Sequence, residues 1–511
     1  MNRNDPVPYL NPRRWWTLVV LCVSLLVISL DNTILNVALP TLGRDLQASS
    51  SQLQWIVDAY MLVFAGLLLT AGALGDRFGR RRALSFGLAV FGLGSALSAL
   101  SGTAGMLIAS RALMGVGGAF IMPSTLSILT ATFPARERAK AIGIWAGTSG
   151  LGIAIGPVAG GWIVEHASWS WIFLVNVPFV AAGLLAQRAL VPESKDPAAP
   201  RLDLPGFALS TTGLTALVWG IIEAPDRGWT DARILGAFAV AVAALAAFAV
   251  WETRAKEPML DVRLFRNRRF SAASGAITLS FFALFGSIFF LTQYLQLVLG
   301  YAPFAAGLGV LPVAAGIALA SPVSARLSAA RGAKLVVAGG LATLAAGLLL
   351  MTGFAVDSPY GIVAASYGLL GVGIGLAMTP ATDSVMGSLP LAKASVGSAV
   401  NDATRTTGGA LGVAVLGSIL SSGYRGDMDA VSVPAAAHDS LAGALAVAAR
   451  VGGSAGERLT ETAQQAFVSG MHAAVLVAAG IALVGALVAV VFLPSRAAEP
   501  TPAIAPEAVP A

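Results

Sequence analysis

WWTLVVLCVSLLVISLDNTILNVALP, residues 15–40, carries a single charge, Asp31, deep inside an apolar run. A helix needs about twenty predominantly apolar residues to cross the hydrocarbon core of a bilayer. Stretches of that length with almost no charge recur at 83–109, 205–222 and 334–354. Their apolar residues come in blocks rather than in amphipathic or alternating patterns, so these helices are apolar all round. Hydrophobic side chains make up 56% of the 511 residues and charged ones 11%, against roughly 25% charged in soluble globular chains. A water-soluble core cannot bury that many such helices. The chain belongs in a lipid bilayer.

The 15–40 run reads as the first membrane helix rather than a cleaved signal, because it is too long and ends without a small-residue cleavage site. Arg13, Arg14, Trp15 and Trp16 hold its start at the cytoplasmic face. The single cysteine, Cys22, lies within it as a small packing residue, which excludes an intrachain disulfide.

Working outward, apolar blocks between charged or Pro/Gly breaks predict six helices at 15–39, 53–74, 83–102, 104–128, 138–163 and 170–190. A linker rich in proline and charge follows, VPESKDPAAPRLDLP. Eight more helices are expected at 206–223, 232–251, 270–299, 304–325, 334–354, 359–383, 395–420 and 467–493. Residues 421–466 read as one long outer loop with a short surface helix near 435–450, and 494–511 as a disordered Pro/Ala-rich tail. Most of the 32 Lys and Arg fall in alternate connections, above all 75–82, 131–140 and 252–269. That bias predicts both termini on the cytoplasmic side of the cell membrane. The net charge of +6 therefore sits in short loops, not on a basic helix face, and argues against a nucleic-acid partner.

Charges within the hydrocarbon are costly and mark functional candidates. Asp31 in the first helix and Arg111 in the fourth lie at one depth, roughly 10 Å below the outer surface at 1.5 Å per residue, with Asp58 of the second helix slightly shallower. Desolvation favours the neutral form of such a carboxylate and a nearby arginine its charged form. Asp31 is thus a candidate to take a proton from one side and lose it to the other. The alternative is a permanent ion pair that fixes packing, and for Asp58 an interfacial cap.

In GLGIAIGPVAGG, 150–161, Gly152, Gly156 and Gly160 recur every four residues and form a ridge that another helix can approach closely. Pro157 removes a backbone donor there and weakens the helix, and Gly161 flanks it. In GALGDRFGRRR, 72–82, Asp76, Arg77 and Arg80 stand among Gly72, Gly75 and Gly79, a tight turn with a fixed charge arrangement.

These segments resemble the major facilitator superfamily. The 72–82 loop is similar to its signature between helices 2 and 3, the helix-5 run to its antiporter motif, and SRALMGVGGA at 110–119 to its helix-4 arginine motif. LDNTILNVALP at 30–40, WSWIFLVNVP at 169–178, QYLQLVLGYAPFAAGL at 293–308 and NDATRTTGGALG at 401–412 resemble the fourteen-helix drug:proton antiporter branch. Ser170 departs from the arginine usual there, and SARLSAARGAK at 324–334 lacks the aspartate of a second loop signature.

The resemblance implies an all-α integral membrane protein of two six-helix bundles, 1–190 and 270–493. Between them lie a cytoplasmic linker (191–204), two extra helices (205–251) and a cytoplasmic loop (252–269). It implies alternating access, with Asp31 the protonation site, Arg111 its modulator and Asp76 with Arg77 part of the cytoplasmic gate. The helix-5 glycines would form the bundle interface that suppresses leak. Substrate-cavity candidates are Asn36, Gln293, Gln296, Phe285, Phe289, Asp402 and Arg405. Asp402 and Arg405, three apart, pair along one helix face or meet a substrate. Asp383 and His472 are further polar positions, His472 more simply an interfacial side chain.

The expected function is export of small hydrophobic or cationic compounds against protons, by a monomer without cofactor or metal. One buried carboxylate suffices for a proton, whereas sodium needs several oxygen ligands. An exporter of one metabolite or self-made antibiotic is the alternative. An uptake symporter conflicts with the helix-5 motif. An enzyme would need a convergent His, Cys or carboxylate constellation, and a primary pump a nucleotide-binding loop. The sequence has neither.

Overall fold

The computed structural model describes residues 13–195, 202–388, 394–429, 431 and 433–493. The expected tail 494–511 and part of the linker lie outside the described residues. Fourteen helices among them are long and apolar enough to cross a membrane. The first half has α1 (Arg14–Asp45), α2 (Ser50–Phe78), α3 (Arg80–Ala99), α4 (Ala104–Thr132), α5 (Ala135–His166) and α6 (Trp171–Leu190). An extra pair follows, α7 (Leu204–Arg227) and α8 (Ala232–Arg254). The second half has α9 (Arg268–Val298), α10 (Pro303–Arg331), α11 (Ala333–Gly353), α12 (Tyr360–Met386) and α13 (Ala394–Met428). Two short helices, α14 (Ala435–Asp439) and α15 (Leu441–Val451), precede the last span, α16 (Gly453–Phe492).

Local chemistry sets the ends. Ser49 opens α2 through a capping box with Gln52, and Thr103 and Asp203 cap α4 and α7. Gly79 ends α2 at φ +119° and Gly332 ends α10 at φ +83°, conformations that residues with a Cβ rarely adopt. The two glycines occupy matching places, because the halves repeat. In the first, α1 packs on α5 and α6, α4 on α2 and α3, and α3 on α6. In the second, α9 packs on α13 and α16, α12 on α10 and α11, and α11 on α16. Between bundles, α5 meets α10 and α13 meets α2. The α7–α8 pair stands at one edge, with α7 against both α2 and α13.

Glycine permits the closest of these packings. A Cβ on Gly152 would strike Ser29, one on Gly156 would strike Thr33, and one on Gly160 would press on Ile34, all on α1. The predicted ridge is therefore real, but it joins two helices of one bundle. The expectation that it forms the bundle interface needs correction. The other bundle is met instead by Gly161, against Pro303 and Phe304, by Pro157 and Val158, against Gly307, and by Glu165, which accepts from the Phe304 amide. The second half has its own ridge. Gly408 lies on Thr278 and Gly412 on Phe282, so α13 rides on α9 as α5 rides on α1.

The segment 421–466 is mostly helical rather than a loop. α13 runs on to Met428, and α15 buries Leu441, Ala442, Ala444, Val447 and Ala448. α16 starts well before 467 and buries Gly456, Leu459, Ala463 and Ala466, one face at helical spacing. Scattered charges on the opposite faces made this stretch read as a loop.

Replacing Gly412 by leucine should force α13 off α9, a cost of about 1–3 kcal/mol for an overfilled contact. Gly339→Leu, where nothing lies within 4 Å of the added Cβ, is the control. Melting of the two purified variants should differ by several degrees, and equal melting would remove the second ridge.

Candidate functional site

Four helices of the first bundle converge on one buried carboxylate. Asp31 of α1 accepts a hydrogen bond from Arg111 Nη1 of α4 at 2.5 Å and one from Asn176 Nδ2 of α6 at 3.3 Å. Arg111 Nε donates to the Ile56 carbonyl of α2 at 3.2 Å, and its guanidinium lies 4.5 Å over the Tyr60 ring. Asn176 is itself steadied by Ser95, which donates to the Phe173 carbonyl. Asp31 is 2% exposed and Arg111 1%. The pair is sealed from solvent on every side.

Asp58 does not join it. Its side chain is fully buried, and neither carboxylate oxygen has a hydrogen-bond partner among the described residues. It shares its side of α2 with Gln54, against Gly417, and Met61, against Gly409, so it lies towards α13. The expected meeting of three charges is thus a pair and a separate carboxyl.

The polar residues expected in a cavity divide. Gln296 donates to the Val37 carbonyl at 2.8 Å and Thr292 to the Asn36 carbonyl at 2.8 Å. Asn36 and Gln296 therefore stitch α1 to α9, and are buried rather than open to a substrate. Gln293 bonds back to Phe289, whose ring is buried too. Phe285, Asp402 and Arg405 remain partly open. His472 meets the Phe354 carbonyl, and Asp383 is exposed on α12.

At the end carrying the basic loops, Asp76 binds Arg80 Nε at 2.7 Å, one turn along. Arg77 lies over Phe78, and Gly72 packs on Pro123. Glu193, just past α6, accepts from the Arg81 amide, while the Arg80 amide donates to Ser194. A Cβ on Gly79 would collide with that glutamate. At the far end, Arg425 of α13 bridges Asp226 of α7 at 2.6 Å and Asp439 of α14 at 2.9 Å. Ser51 of α2 holds the same Asp226, and Ser50 donates to the Asp439 carbonyl.

Residues 21–413 match the sequence profile of the Major Facilitator Superfamily. The chain belongs to that superfamily. It is 36% identical to the tetracenomycin C resistance and export protein of Streptomyces glaucescens, over 97% of this chain and 94% of the relative. It is 38% identical to the multidrug efflux pump LfrA of Mycolicibacterium smegmatis, over 93% and 95%. In fold it is similar to a bacterial homolog of the human lysosomal transporter Spinster, solved in an inward-facing and unoccupied conformation. The TM-score is 0.67 at 17% identity, covering 93% of this chain and 98% of that one. As a member of the fourteen-helix branch, this major facilitator is a multi-pass membrane transporter.

Sequence reasoning missed Asn176, Glu193 and the Arg425 bridge in this facilitator. Asn176 is a polar residue in the apolar run WIFLVNVP, and that contrast marks it. Glu193 and Asp439 sit in segments that read as linker and loop, where an acidic residue carries no such signal.

The far end gives a direct test of movement. A Cβ on Gly43 of α1 would lie 3.4 Å from the Ala442 Cβ of α15, near the spacing a disulfide requires. In a Cys22→Ser background, Gly43→Cys with Ala442→Cys should cross-link on oxidation. Transport should then stop and return on reduction. Continued transport by the cross-linked protein would show that this end need not open.

Proposed function

We propose that the protein is a secondary active exporter of small hydrophobic or cationic compounds, drugs and antibiotics among them. Protons drive it by antiport through alternating access, in the cell membrane, with both termini and the basic loops on the cytoplasmic side. The Asp31–Arg111 pair carries this reading. A carboxylate and a guanidinium sealed together in a membrane protein exchange a proton only if the site opens. Neutralising Asp31 leaves Arg111 with the Ile56 carbonyl and the Tyr60 ring of α2, beside the Met114 sulfur of its own helix. Proton uptake therefore shifts the arginine's hold from α1 towards α2.

The two bundles supply the movement. The contacts named above between them, Asn36 with Thr292, Val37 with Gln296 and Gly161 with Pro303, lie in the half away from the basic loops. A rocking motion about that region exposes the space between the bundles to one side and then the other. Asp76 with Arg80, and Glu193 behind them, serve as the cytoplasmic gate.

A narrower reading, export of one antibiotic or metabolite, is favoured by the relative named for tetracenomycin C resistance and export. Efflux of ethidium from cells, with and without a proton uncoupler, separates the two. Uncoupler-sensitive efflux supports a broad proton-driven exporter, and no ethidium efflux supports the narrow one.

Asp31→Asn keeps the size of the side chain and removes the exchangeable proton. It should abolish gradient-driven efflux while membrane insertion and expression persist. Efflux at the parent rate by this variant would take Asp31 out of the mechanism.

A further inference from the structure

Arg405 is unlike the other arginine within a membrane span. Arg111 is enclosed and bonded, whereas the Arg405 side chain is 36% exposed and makes no hydrogen bond among the described residues. It lies about 16 Å along α13 from Ala394, at 1.5 Å per residue, well inside the hydrocarbon. Asp402, one turn away, comes no closer than 3.9 Å, beyond hydrogen-bond reach. None of its five N–H donors has a hydrogen-bond partner among the described residues, so acceptors must come from water or a guest. Unsatisfied donors facing lipid would be prohibitive.

The surroundings say what kind of guest. The guanidinium lies 4.6 Å over the Phe281 ring, and that ring stacks on Phe285 at 5.7 Å and 27°. Phe285 packs on Gly409, beside Met61 of the other bundle. A strip thus runs from a fixed guanidinium, over two stacked rings, to the seam where the bundles meet. A guanidinium offers two parallel donors to a carboxylate or phenolate, and stacking on a ring holds its plane. The adjoining rings take a planar aromatic body.

We propose that Arg405, seated on Phe281 and Phe285, recognises the acidic edge of planar aromatic substrates, so that aromatic anions enter the exporter as well as cations. The proposal rests on the export reading and extends its substrate class. Asp402 competes with the guest for the same guanidinium. Removing it should therefore tighten the binding of an anion, which a merely structural ion pair would not do.

The test titrates the purified full chain in lipid nanodiscs with fluorescein, an aromatic anion, and ethidium, an aromatic cation, by fluorescence anisotropy. Arg405→Gln should weaken fluorescein by about tenfold, the value of a charge-assisted bidentate contact, and leave ethidium within about threefold. Asp402→Asn should strengthen fluorescein. Arg405→Lys keeps the charge without the fork. If the glutamine variant does not fold, the lysine variant alone should still weaken fluorescein selectively. The proposal falls if the parent does not bind fluorescein. It falls equally if the variants at 402 and 405 weaken both dyes alike. Uncoupler-sensitive ethidium efflux by the parent, measured separately, shows whether the export reading survives either result.

Discussion

A carboxylate and a guanidinium buried together in the hydrocarbon constrain everything packed around them. Removing one member of such a pair leaves the other uncompensated, at about 3–5 kcal/mol. Here the pair draws on α1, α4, α6 and, through the Ile56 carbonyl, α2. Under the proposed coupling, a proton arriving at Asp31 would not be a local event. It would loosen α1 from α4 and leave Arg111 more dependent on α2, the helix that meets α13 across the bundle seam. Asp58, on that same helix, is buried with no hydrogen-bond partner among the described residues and gains nothing comparable.

The two halves of the fold share packing but not charge. Both hold their first helix on a glycine ridge of their fifth, Gly152, Gly156 and Gly160 in one and Gly408 and Gly412 in the other. Both end their second helix on a glycine at positive φ. Yet among the described residues the sealed ion pair exists only in the first half, and the open arginine over stacked rings only in the second. This asymmetry fits a division in which one bundle handles the proton and the other meets the substrate. The close inter-helix approach common to both binds each bundle into one unit.

Much of this was legible in the sequence, for physical reasons. Long apolar runs have few alternatives in a bilayer, so the fourteen spans emerged with most ends shifted by a few residues, although the last starts at Gly453 rather than 467. Asp31 and Arg111 were conspicuous because charge is rare there, and equal depth allowed them to meet. What was not legible depends on which face of a helix looks where. The 150–161 ridge announced close approach but not its partner, which is α1 rather than the second bundle. Asn36 and Gln296 looked like cavity residues and instead tie α1 to α9. Residues 421–466 looked like a loop because their apolar stripe is narrow and diluted by alanine and glycine.

The far end adds a contrast in cost. Arg425, Asp226 and Asp439 join α13, α7 and α14, but each is partly exposed, and bridges of that kind contribute only about 0–1 kcal/mol. Ser50 and Ser51 bring α2 into the same network. Opening that end replaces these contacts with water at little expense. Opening the Asp31–Arg111 site costs several times more unless a proton accompanies it. In the proposed antiport, a gate that is cheap to break and a buried pair that is expensive to break would give the proton control over when the bundles rock. The end that yields easily only follows.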